Sequence, residues 1–151
     1  MAASVSAIFF DLGDTLIKTS ASTTWLPGAK AALSSLKSKG FRLGIISNTG
    51  NLQPRSAILN ILPPDFDINN FELQLVLFSS EVGVEKPKRQ IFELAVSRSA
   101  VPARSCMYVS ENIVETLVAQ QVGMRSIRIK TGSDDIATLS TTIADYLQAV
   151  A

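Results

Sequence analysis

Two aspartates and a threonine directly follow the first apolar run of the sequence. The segment AIFFDLGDTLI spans residues 7–17 and places Asp11, Gly13, Asp14 and Thr15 at the end of that run. Carboxylates that follow a buried strand can be turn or cap residues, or they can do chemistry at the edge of a sheet. Polar residues elsewhere in the chain bear on which of these two interpretations holds.

Further along the chain, polar residues stand at three similar places. In chain order they are Ser47, Asn48, Thr49, Gly50, Glu85, Lys86, Ser110, Glu111, Asn112 and Glu115. This mixture of carboxylates, hydroxyls, amides and one lysine suits a phosphate group held together with a hard metal ion. A carboxylate can attack phosphorus only when charge repulsion is removed, which calls for a divalent cation and a fixed ammonium group.

Composition and charge exclude several other classes of function. A chain of 151 residues that is 46% hydrophobic has about one domain's worth of core. Fourteen basic residues face thirteen acidic ones, so no net field attracts nucleic acid or a membrane surface, and neither partner is expected. The single cysteine, Cys106, excludes an intrachain disulfide and suits a cytoplasmic location. There is no histidine, which removes Ser-His and Cys-His nucleophile pairs.

Short apolar runs alternate with longer segments of helical period. The predicted strands span residues 4–11, 42–48, 73–79, 105–110 and 125–129. The predicted helices span residues 27–39, 54–62, 87–99, 112–122 and 134–149, the last with an apolar stripe of Ile136, Leu139, Ile143, Tyr146 and Leu147. This alternation predicts an α/β fold, with a Rossmann-like parallel sheet between two layers of helices. We expect one domain over residues 1–151.

In such a sheet, ligands bind outside the carboxyl ends of the strands, at the point where the strand order reverses. The polar residues named above follow predicted strands or precede predicted helices, so they are expected to gather at one edge. Each also has a structural alternative. Asp11 could be a turn residue, Ser47 and Asn48 could shape the turn before the next helix, and Lys86 could be a solvated loop lysine.

Four short motifs occur in order along the chain. They are DLGDT at 11–15, GIISNTG at 44–50, VEKPKRQIF at 84–92 and YVSENIVETLVAQQVGM at 108–124. Together they resemble the nucleophile, Ser/Thr, lysine and acidic motifs of the haloacid dehalogenase-like (HAD) hydrolase superfamily. The resemblance runs from Ala7 to about Ile129 and implies a HAD-like core. Too few residues separate the motifs for an inserted cap domain, so an open site is expected.

The resemblance implies a role for each matching residue. Asp11 would be the nucleophile that takes the phosphoryl group as an aspartyl phosphate. Ser47 and the backbone amide of Asn48 would hydrogen-bond the phosphoryl oxygens. Lys86 would neutralise charge between the nucleophile and the phosphate.

The same resemblance implies Mg²⁺ as the cofactor. Its implied ligands are the second carboxylate oxygen of Asp11, the carbonyl of Gly13, and Glu111 and Glu115, directly or through water. Glutamate stands at both later positions where the family usually has aspartate. The extra methylene moves each carboxylate by about 1.5 Å, which the strict geometry of Mg²⁺ tolerates poorly without an intervening water. Acidic residues at a helix start are also favoured by the helix dipole, so a structural role is an alternative for both glutamates.

Gly13 is the other departure from the family pattern. In the family's phosphatases this position is an aspartate that protonates the leaving oxygen and later activates water. Thr15 fixes the register, so Asp14 falls in the variable position and is expected to be a turn residue whose side chain accepts from turn amides. A lost general acid costs about 10²–10⁴ in rate. An alkyl phosphate would suffer the full loss, whereas an acyl or aryl phosphate would suffer less.

Three functions follow as hypotheses. The first is a Mg²⁺-dependent phosphatase that works through phospho-Asp11, on a phosphorylated substrate that the sequence does not identify. The second is a catalytically degenerate HAD fold that binds a phosphorylated ligand or a protein partner. The third is a response-regulator-like receiver, which ranks lower because no aspartate ends the third predicted strand. An oligomer is possible in each case.

Overall fold

The computed structural model describes residues 4–19, 23–131 and 133–150, with side chains described up to residue 144. Its strands are β1 (Ala7–Phe10), β2 (Ile17–Lys18), β3 (Thr24–Trp25), β4 (Arg42–Ser47), β5 (Val76–Phe78), β6 (Cys106–Ser110) and β7 (Arg125–Arg128). Its helices are α1 (Ala29–Ser38), α2 (Arg55–Asn60), α3 (Ser79–Val82), α4 (Arg89–Ser99), α5 (Ile113–Val122) and α6 (Leu139–Val150).

Five of these strands form one parallel sheet in the order β5-β4-β1-β6-β7. The central strand is β1, which pairs with β4 on one side and with β6 on the other. The chain runs outward from β1 through β4 to β5, crosses back to β6 and continues to β7. The strand order therefore reverses beside β1, which is the place where open parallel sheets bind ligands.

Apolar residues on both faces of the sheet produce the layers. All four residues of β1 are buried. Because side chains alternate across a strand, Ile8 and Phe10 pack into a core that includes residues of α1 and α6. Phe9 packs on the opposite face, in a core that includes residues of α4 and α5. The predicted three-layer α/β/α arrangement with a parallel, Rossmann-like sheet is confirmed.

The predicted strand over residues 73–79 is wrong at both ends. Leu73–Leu75 form a 3-10 helix, and the strand is limited to Val76–Phe78. The N–H of Leu75 donates to the carbonyl of Glu72, which turns the chain before it enters the sheet. Ser79 begins α3 and does not extend the strand. Alternating apolar residues in FELQLVLF resemble a strand even where a turn forms, so periodicity alone could not place this boundary.

The last predicted helix begins later than expected. Residues 134–138 form turns and α6 begins at Leu139, because the carboxylate of Asp135 accepts a hydrogen bond from the backbone of Lys130 at 2.7 Å and holds a loop. Tyr146 and Leu147 of the predicted stripe lie outside the described side chains. In the part of the chain that the structure describes, no helix has the length and apolar character needed to cross a membrane.

Other predicted elements are present, with ends that differ by at most three residues. Among the described strands and α-helices, three have no counterpart in the prediction: α3, and the strands β2 and β3, which form an antiparallel pair in which Ile17 faces Trp25. Strands of two residues are too short to show a period. The pair follows the segment 11–15 and is joined to it by a hydrogen bond from the N–H of Asp14 to the carbonyl of Ile17 at 2.7 Å.

Gly44 in β4 provides a test of how closely the sheet packs. A Cβ at this residue would lie 2.6 Å from the carbonyl oxygen of Leu75 and 2.7 Å from Cδ1 of Phe9. We expect Gly44→Ala to lower the free energy of unfolding by about 1–3 kcal/mol, because overpacking displaces neighbouring backbone. Urea denaturation measures it, with Gly13→Ala as the matched control, since a Cβ there meets only Thr19 at 3.4 Å. Equal stability of the two variants would contradict the packing.

Candidate active site

Asp11 extends β1 by one residue at the point where the strand order reverses. Its N–H donates to the carbonyl of Val109 at 3.0 Å, so the backbone is still held in the register of β6. The residue is buried, with 8% exposed. The N–H of Leu12 donates to Oδ1 at 2.9 Å. The sheet therefore fixes this carboxylate at the carboxyl end of its central strand.

Lys86 brings an ammonium group to this carboxylate. Its Nζ lies 2.8 Å from Oδ1 of Asp11, and the residue is 5% exposed. Asn48 fixes the backbone of Lys86 through two hydrogen bonds: Oδ1 accepts from the Lys86 N–H at 2.8 Å, and Nδ2 donates to the Lys86 carbonyl at 3.0 Å. The Asn48 side chain thus links the segment after β4 to the lysine, a contact that the sequence did not predict.

Two further groups surround the Lys86 ammonium. Nζ lies 3.0 Å from the hydroxyl of Tyr108 and 3.0 Å from Oε1 of Glu115. The Tyr108 hydroxyl also donates to the same Glu115 oxygen at 2.6 Å. Asn112 caps α5 by accepting a hydrogen bond from the Glu115 N–H at 3.1 Å. Glu115 therefore lies in the first turn of α5, beside the site. Tyr108 was missed by sequence reasoning, because it lies within an apolar strand and carries no motif spacing.

The second carboxylate oxygen of Asp11 faces hydroxyl groups. Oδ2 accepts from Thr15 Oγ1 at 3.2 Å and from Ser110 Oγ at 3.4 Å. Thr15 Oγ1 in turn accepts from the backbone N–H of Glu111 at 3.0 Å. Thr15 therefore joins the segment after β1 to the segment after β6, which gives this threonine a structural reason to stand four residues after Asp11.

Ser47 lies at the carboxyl end of β4, the strand next to β1. It is buried, and its hydroxyl makes no hydrogen bond within the residues that the structure describes. The loop after Ser47 is held to the start of α3, because the Thr49 N–H donates to Ser79 Oγ at 2.8 Å. An open depression of about 490 Å³ adjoins this loop, lined by residues that include Gly50, Ser80 and Lys88.

Negative charge exceeds positive charge among these side chains. Burial raises the pKa of Asp11, an effect that Lys86 opposes and the charge of Glu115 reinforces. Burial also raises the pKa of Glu111, and the negative charges of Asp11, Asp14 and Glu115 raise it further. Burial and the charges of Asp11 and Glu115 raise the pKa of Tyr108 well above its usual range, so the phenol stays protonated. Three carboxyl groups, those of Asp11, Glu111 and Glu115, therefore interact with one lysine.

Comparison with known families decides the identity of this fold. A model of the haloacid dehalogenase-like hydrolases matches residues 23–123, more than half of the chain. The chain belongs to this family. The matched range leaves out Asp11, whose place in the HAD pattern rests on the position of DLGDT at the end of β1.

Curated relatives that resemble this chain in sequence share one name. A glyceraldehyde 3-phosphate phosphatase of Methanothermobacter thermautotrophicus is 36% identical over 104 residues, which cover 68% of this chain and 43% of that protein. One of Pyrococcus abyssi is 31% identical over 108 residues, covering 71% and 43% respectively. The chain thus spans less than half the length of the curated relatives it matches.

Solved HAD structures share the fold. A HAD family enzyme of Bacteroides thetaiotaomicron, crystallised with magnesium and inorganic phosphate, superposes with a TM-score of 0.72 at 13% identity, covering 86% of this chain and 96% of that one. A 2-haloacid dehalogenase of Pseudomonas syringae gives 0.72 at 16% identity, covering 94% and 99%. At such identities the likeness concerns the fold alone.

The donor atoms of the site fit a magnesium ion. The site offers hard carboxylate oxygens and an excess of negative charge that Lys86 alone does not balance. No three acidic, cysteine or histidine side chains among the described residues converge closely enough to hold a metal. Mg²⁺ usually keeps several waters and needs only one or two carboxylates. Oε1 of Glu115 is engaged by Tyr108 and Lys86, whereas the Glu111 side chain makes no hydrogen bond within the described residues.

Asp14 is a turn residue, as predicted, but its side chain does not make the predicted bonds. Its backbone has a φ of 60°, in the left-handed region that aspartate tolerates. Its N–H donates to the carbonyl of Ile17 at 2.7 Å, and its carbonyl accepts from Thr131 at 2.8 Å. No turn amide among the described residues donates to its carboxylate, which is exposed and whose charge acts on Glu111.

The backbone conformation at position 13 does not require glycine. Its φ lies outside the left-handed region, and a Cβ there would meet only Thr19 Cγ2, at an ordinary contact distance of 3.4 Å. The position can therefore carry a side chain. The missing aspartate of the HAD pattern is a property of this sequence and is not imposed by its fold.

Lys86→Met tests the charge balance of the site. Without the lysine, burial and Glu115 would raise the pKa of Asp11 further. A carboxyl group whose pKa is raised in the folded state opposes folding once pH rises above its unfolded value of about 3.9. We expect a loss of about 3–5 kcal/mol in the free energy of unfolding near pH 7.5 and a smaller loss near pH 4.5.

Urea denaturation at both pH values measures this difference. Lys88→Met removes an exposed lysine two residues away and is expected to change stability little at either pH. A loss in Lys86→Met that is equal at both pH values would show that the buried pair does not set the electrostatics of the site.

Proposed function

We propose that this HAD-family chain is a phosphatase that acts on phosphoric esters or acyl phosphates through an aspartyl phosphate on Asp11. The observation that carries the proposal is the buried contact of 2.8 Å between Lys86 and Asp11 at the carboxyl end of β1. A buried carboxylate with a fixed ammonium beside it is what nucleophilic attack on phosphorus requires. The name of the curated relatives, glyceraldehyde 3-phosphate phosphatase, supports a phosphorylated substrate.

Each residue has a defined task in the proposed reaction. One oxygen of Asp11 forms a bond to phosphorus while the bond from phosphorus to the leaving group breaks. Ser47 and the Asn48 N–H donate hydrogen bonds to the phosphoryl oxygens, and Lys86 balances the negative charge between nucleophile and phosphate. Water then attacks phosphorus, which releases inorganic phosphate and restores Asp11.

Magnesium is the proposed cofactor. Asp11, the Gly13 carbonyl and Glu111 would hold it, with Glu115 as a further predicted ligand through its second oxygen or through water. When bound, Mg²⁺ supplies charge neutralisation for the transferring phosphoryl group.

Gly13 restricts the proposed substrate class. Because it provides no proton for the leaving oxygen, we propose that acyl and aryl phosphates react faster than alkyl phosphates of the kind named for the relatives. The same glycine favours one alternative, a degenerate HAD fold that binds a phosphorylated ligand or protein without turning it over. We further propose one HAD-like domain over residues 1–151, a cytoplasmic location and an open site that adjoins the depression beside Gly50.

Asp11→Asn tests the nucleophile. We expect the unmodified chain to hydrolyse 4-nitrophenyl phosphate and acetyl phosphate above a buffer blank when Mg²⁺ is present, and Asp11→Asn to lose this activity, by a factor on the order of 10³ or more. Asp14→Asn is the matched control and keeps the activity, since Asp14 occupies an exposed turn. Activity that survives in Asp11→Asn would remove Asp11 as the nucleophile.

A phosphate mimic separates the enzyme from the binding alternative. Fluoride complexes of beryllium imitate a phosphoryl group on a carboxylate, and a ligand that binds the native state raises the melting temperature. A rise that requires Mg²⁺ and disappears in Asp11→Asn supports the site in both hypotheses. The same rise in a chain that hydrolyses neither substrate favours the binding protein.

Gly13→Asp tests the missing general acid. We expect the hydrolysis of an alkyl phosphate such as glycerol 3-phosphate to rise by up to about 10²–10⁴-fold. Hydrolysis of 4-nitrophenyl phosphate should rise far less, because its leaving group departs without a proton. Gly13→Asn has nearly the same size and no acid, and it should change neither rate. A folded Gly13→Asp variant with an unchanged ratio of alkyl to aryl rates would refute this role for position 13.

A further inference from the structure

We propose that Tyr108 is a positioning residue that, with Glu115, holds the Lys86 ammonium group against Asp11. The role of the lysine in turnover rests on the proposed function, whereas the positioning itself is a property of the folded protein. Nothing in the motif pattern assigns a role to Tyr108.

The Lys86 ammonium donates two hydrogen bonds and makes a further ion pair with Glu115. Nζ lies 2.8 Å from Asp11 Oδ1, 3.0 Å from the Tyr108 hydroxyl and 3.0 Å from Glu115 Oε1. An ammonium group donates three hydrogen bonds and accepts none. The Tyr108 oxygen must therefore accept from Lys86, which leaves its own hydrogen for Glu115, at 2.6 Å. Tyr108 thus takes one hydrogen of the ammonium group, and Glu115 holds the phenol in that orientation while its charge attracts Lys86, so that another hydrogen points at Asp11.

The sheet fixes the Tyr108 hydroxyl more firmly than it could fix the lysine alone. Tyr108 is fully buried in β6, where it pairs in register with Phe9 of β1. Its ring meets the ring of Phe92 edge to face, with centroids 5.1 Å apart and planes at 76°. A lysine side chain is a flexible four-carbon stem. The rigid phenol gives that stem a fixed end point.

Packing alone does not explain the hydroxyl. Phenylalanine would fill the same space and make the same contact with Phe92, and a buried hydroxyl is costly unless it is paired. Here both of its hydrogen-bonding partners are charged groups of the candidate site. Glu115 accordingly acts on Lys86 through Oε1, in addition to any contact with a metal.

Tyr108→Phe tests this role in turnover. We expect kcat for 4-nitrophenyl phosphate to fall roughly tenfold, with KM and the half-saturating Mg²⁺ concentration unchanged. Ser99→Ala is the matched control: it also removes a buried hydroxyl, one that donates to the Val96 carbonyl at 2.6 Å, and it should leave kcat unchanged. An unchanged kcat in Tyr108→Phe, or a raised requirement for Mg²⁺, would overturn the proposal.

Glu115→Gln provides a second variant that keeps an acceptor for the Tyr108 hydroxyl but removes the charge that attracts Lys86. If both residues act through the lysine, the double variant Tyr108→Phe with Glu115→Gln should lose less activity than the product of the single losses. Multiplicative losses would contradict a shared target. Tyr108→Phe could also lower activity by lowering stability. Melting temperatures of all variants, compared with that of Ser99→Ala, show whether each chain is folded under the assay conditions.

A readout independent of activity separates this proposal from the proposed function. Buried, hydrogen-bonded ammonium groups exchange slowly with water, so ¹⁵N–¹H correlation of lysine side chains should show Lys86, assigned by its loss in Lys86→Met. We expect this signal to shift or broaden in Tyr108→Phe and to stay unchanged in Ser99→Ala. If the chain hydrolyses nothing yet the signal responds, the proposed function fails and the positioning stands. A signal that Tyr108→Phe leaves unchanged overturns the positioning.

Discussion

The buried contact between Lys86 and Asp11 is the interaction on which the rest of the site depends. Both side chains are withdrawn from water, so each charge needs the other and needs further hydrogen bonds to offset its lost hydration. Those bonds come from the Leu12 amide and the Thr15 hydroxyl for the carboxylate, and the Tyr108 hydroxyl accepts from the ammonium. The segments that follow β1 and precede α4, together with strand β6, are thereby tied to one ion pair.

The position of that pair follows from the topology of the sheet. Asp11 extends the central strand, and its N–H is still bonded to β6 when its side chain turns towards the edge. Lys86 comes from a distant segment and is placed by Asn48, whose side chain bonds both the N–H and the carbonyl of the lysine. Register on one side and a side-chain clamp on the other therefore bring together groups 75 residues apart.

The alternation of apolar runs with helical segments predicted the parallel sheet and placed Asp11 and Lys86 at one edge of it, because strand ends and their spacing are local features of the chain. Tyr108 could not be predicted in this way, because its role depends on contacts of its hydroxyl with Lys86 and Glu115 that form only in the folded chain. Glu115 was predicted as a metal ligand; its helix cap turns it towards Lys86, and its metal role stays a prediction. The turn at Leu73–Leu75 escaped prediction because alternation also occurs in turns.

In the proposed mechanism, Asp11 has the contacts expected of a nucleophile, whereas no general acid stands at position 13. Position 13 can carry a side chain, yet it holds glycine, so chemistry at Asp11 should depend on how readily the leaving group departs. Relatives that carry the name of a sugar phosphate phosphatase share about a third of their aligned residues with this chain. A preference for activated phosphates would distinguish this chain from enzymes with the full HAD pattern.

Trapping the covalent intermediate tests directly whether Asp11 is the nucleophile. The chain is mixed with acetyl phosphate and Mg²⁺, quenched in acid and digested, and the peptides are analysed by mass spectrometry. We expect one phosphoryl group on the peptide that contains Asp11, at the carboxylate of that residue, and its absence in Asp11→Asn. Turnover without a phosphoryl group on Asp11, or with one on Asp14, would contradict it.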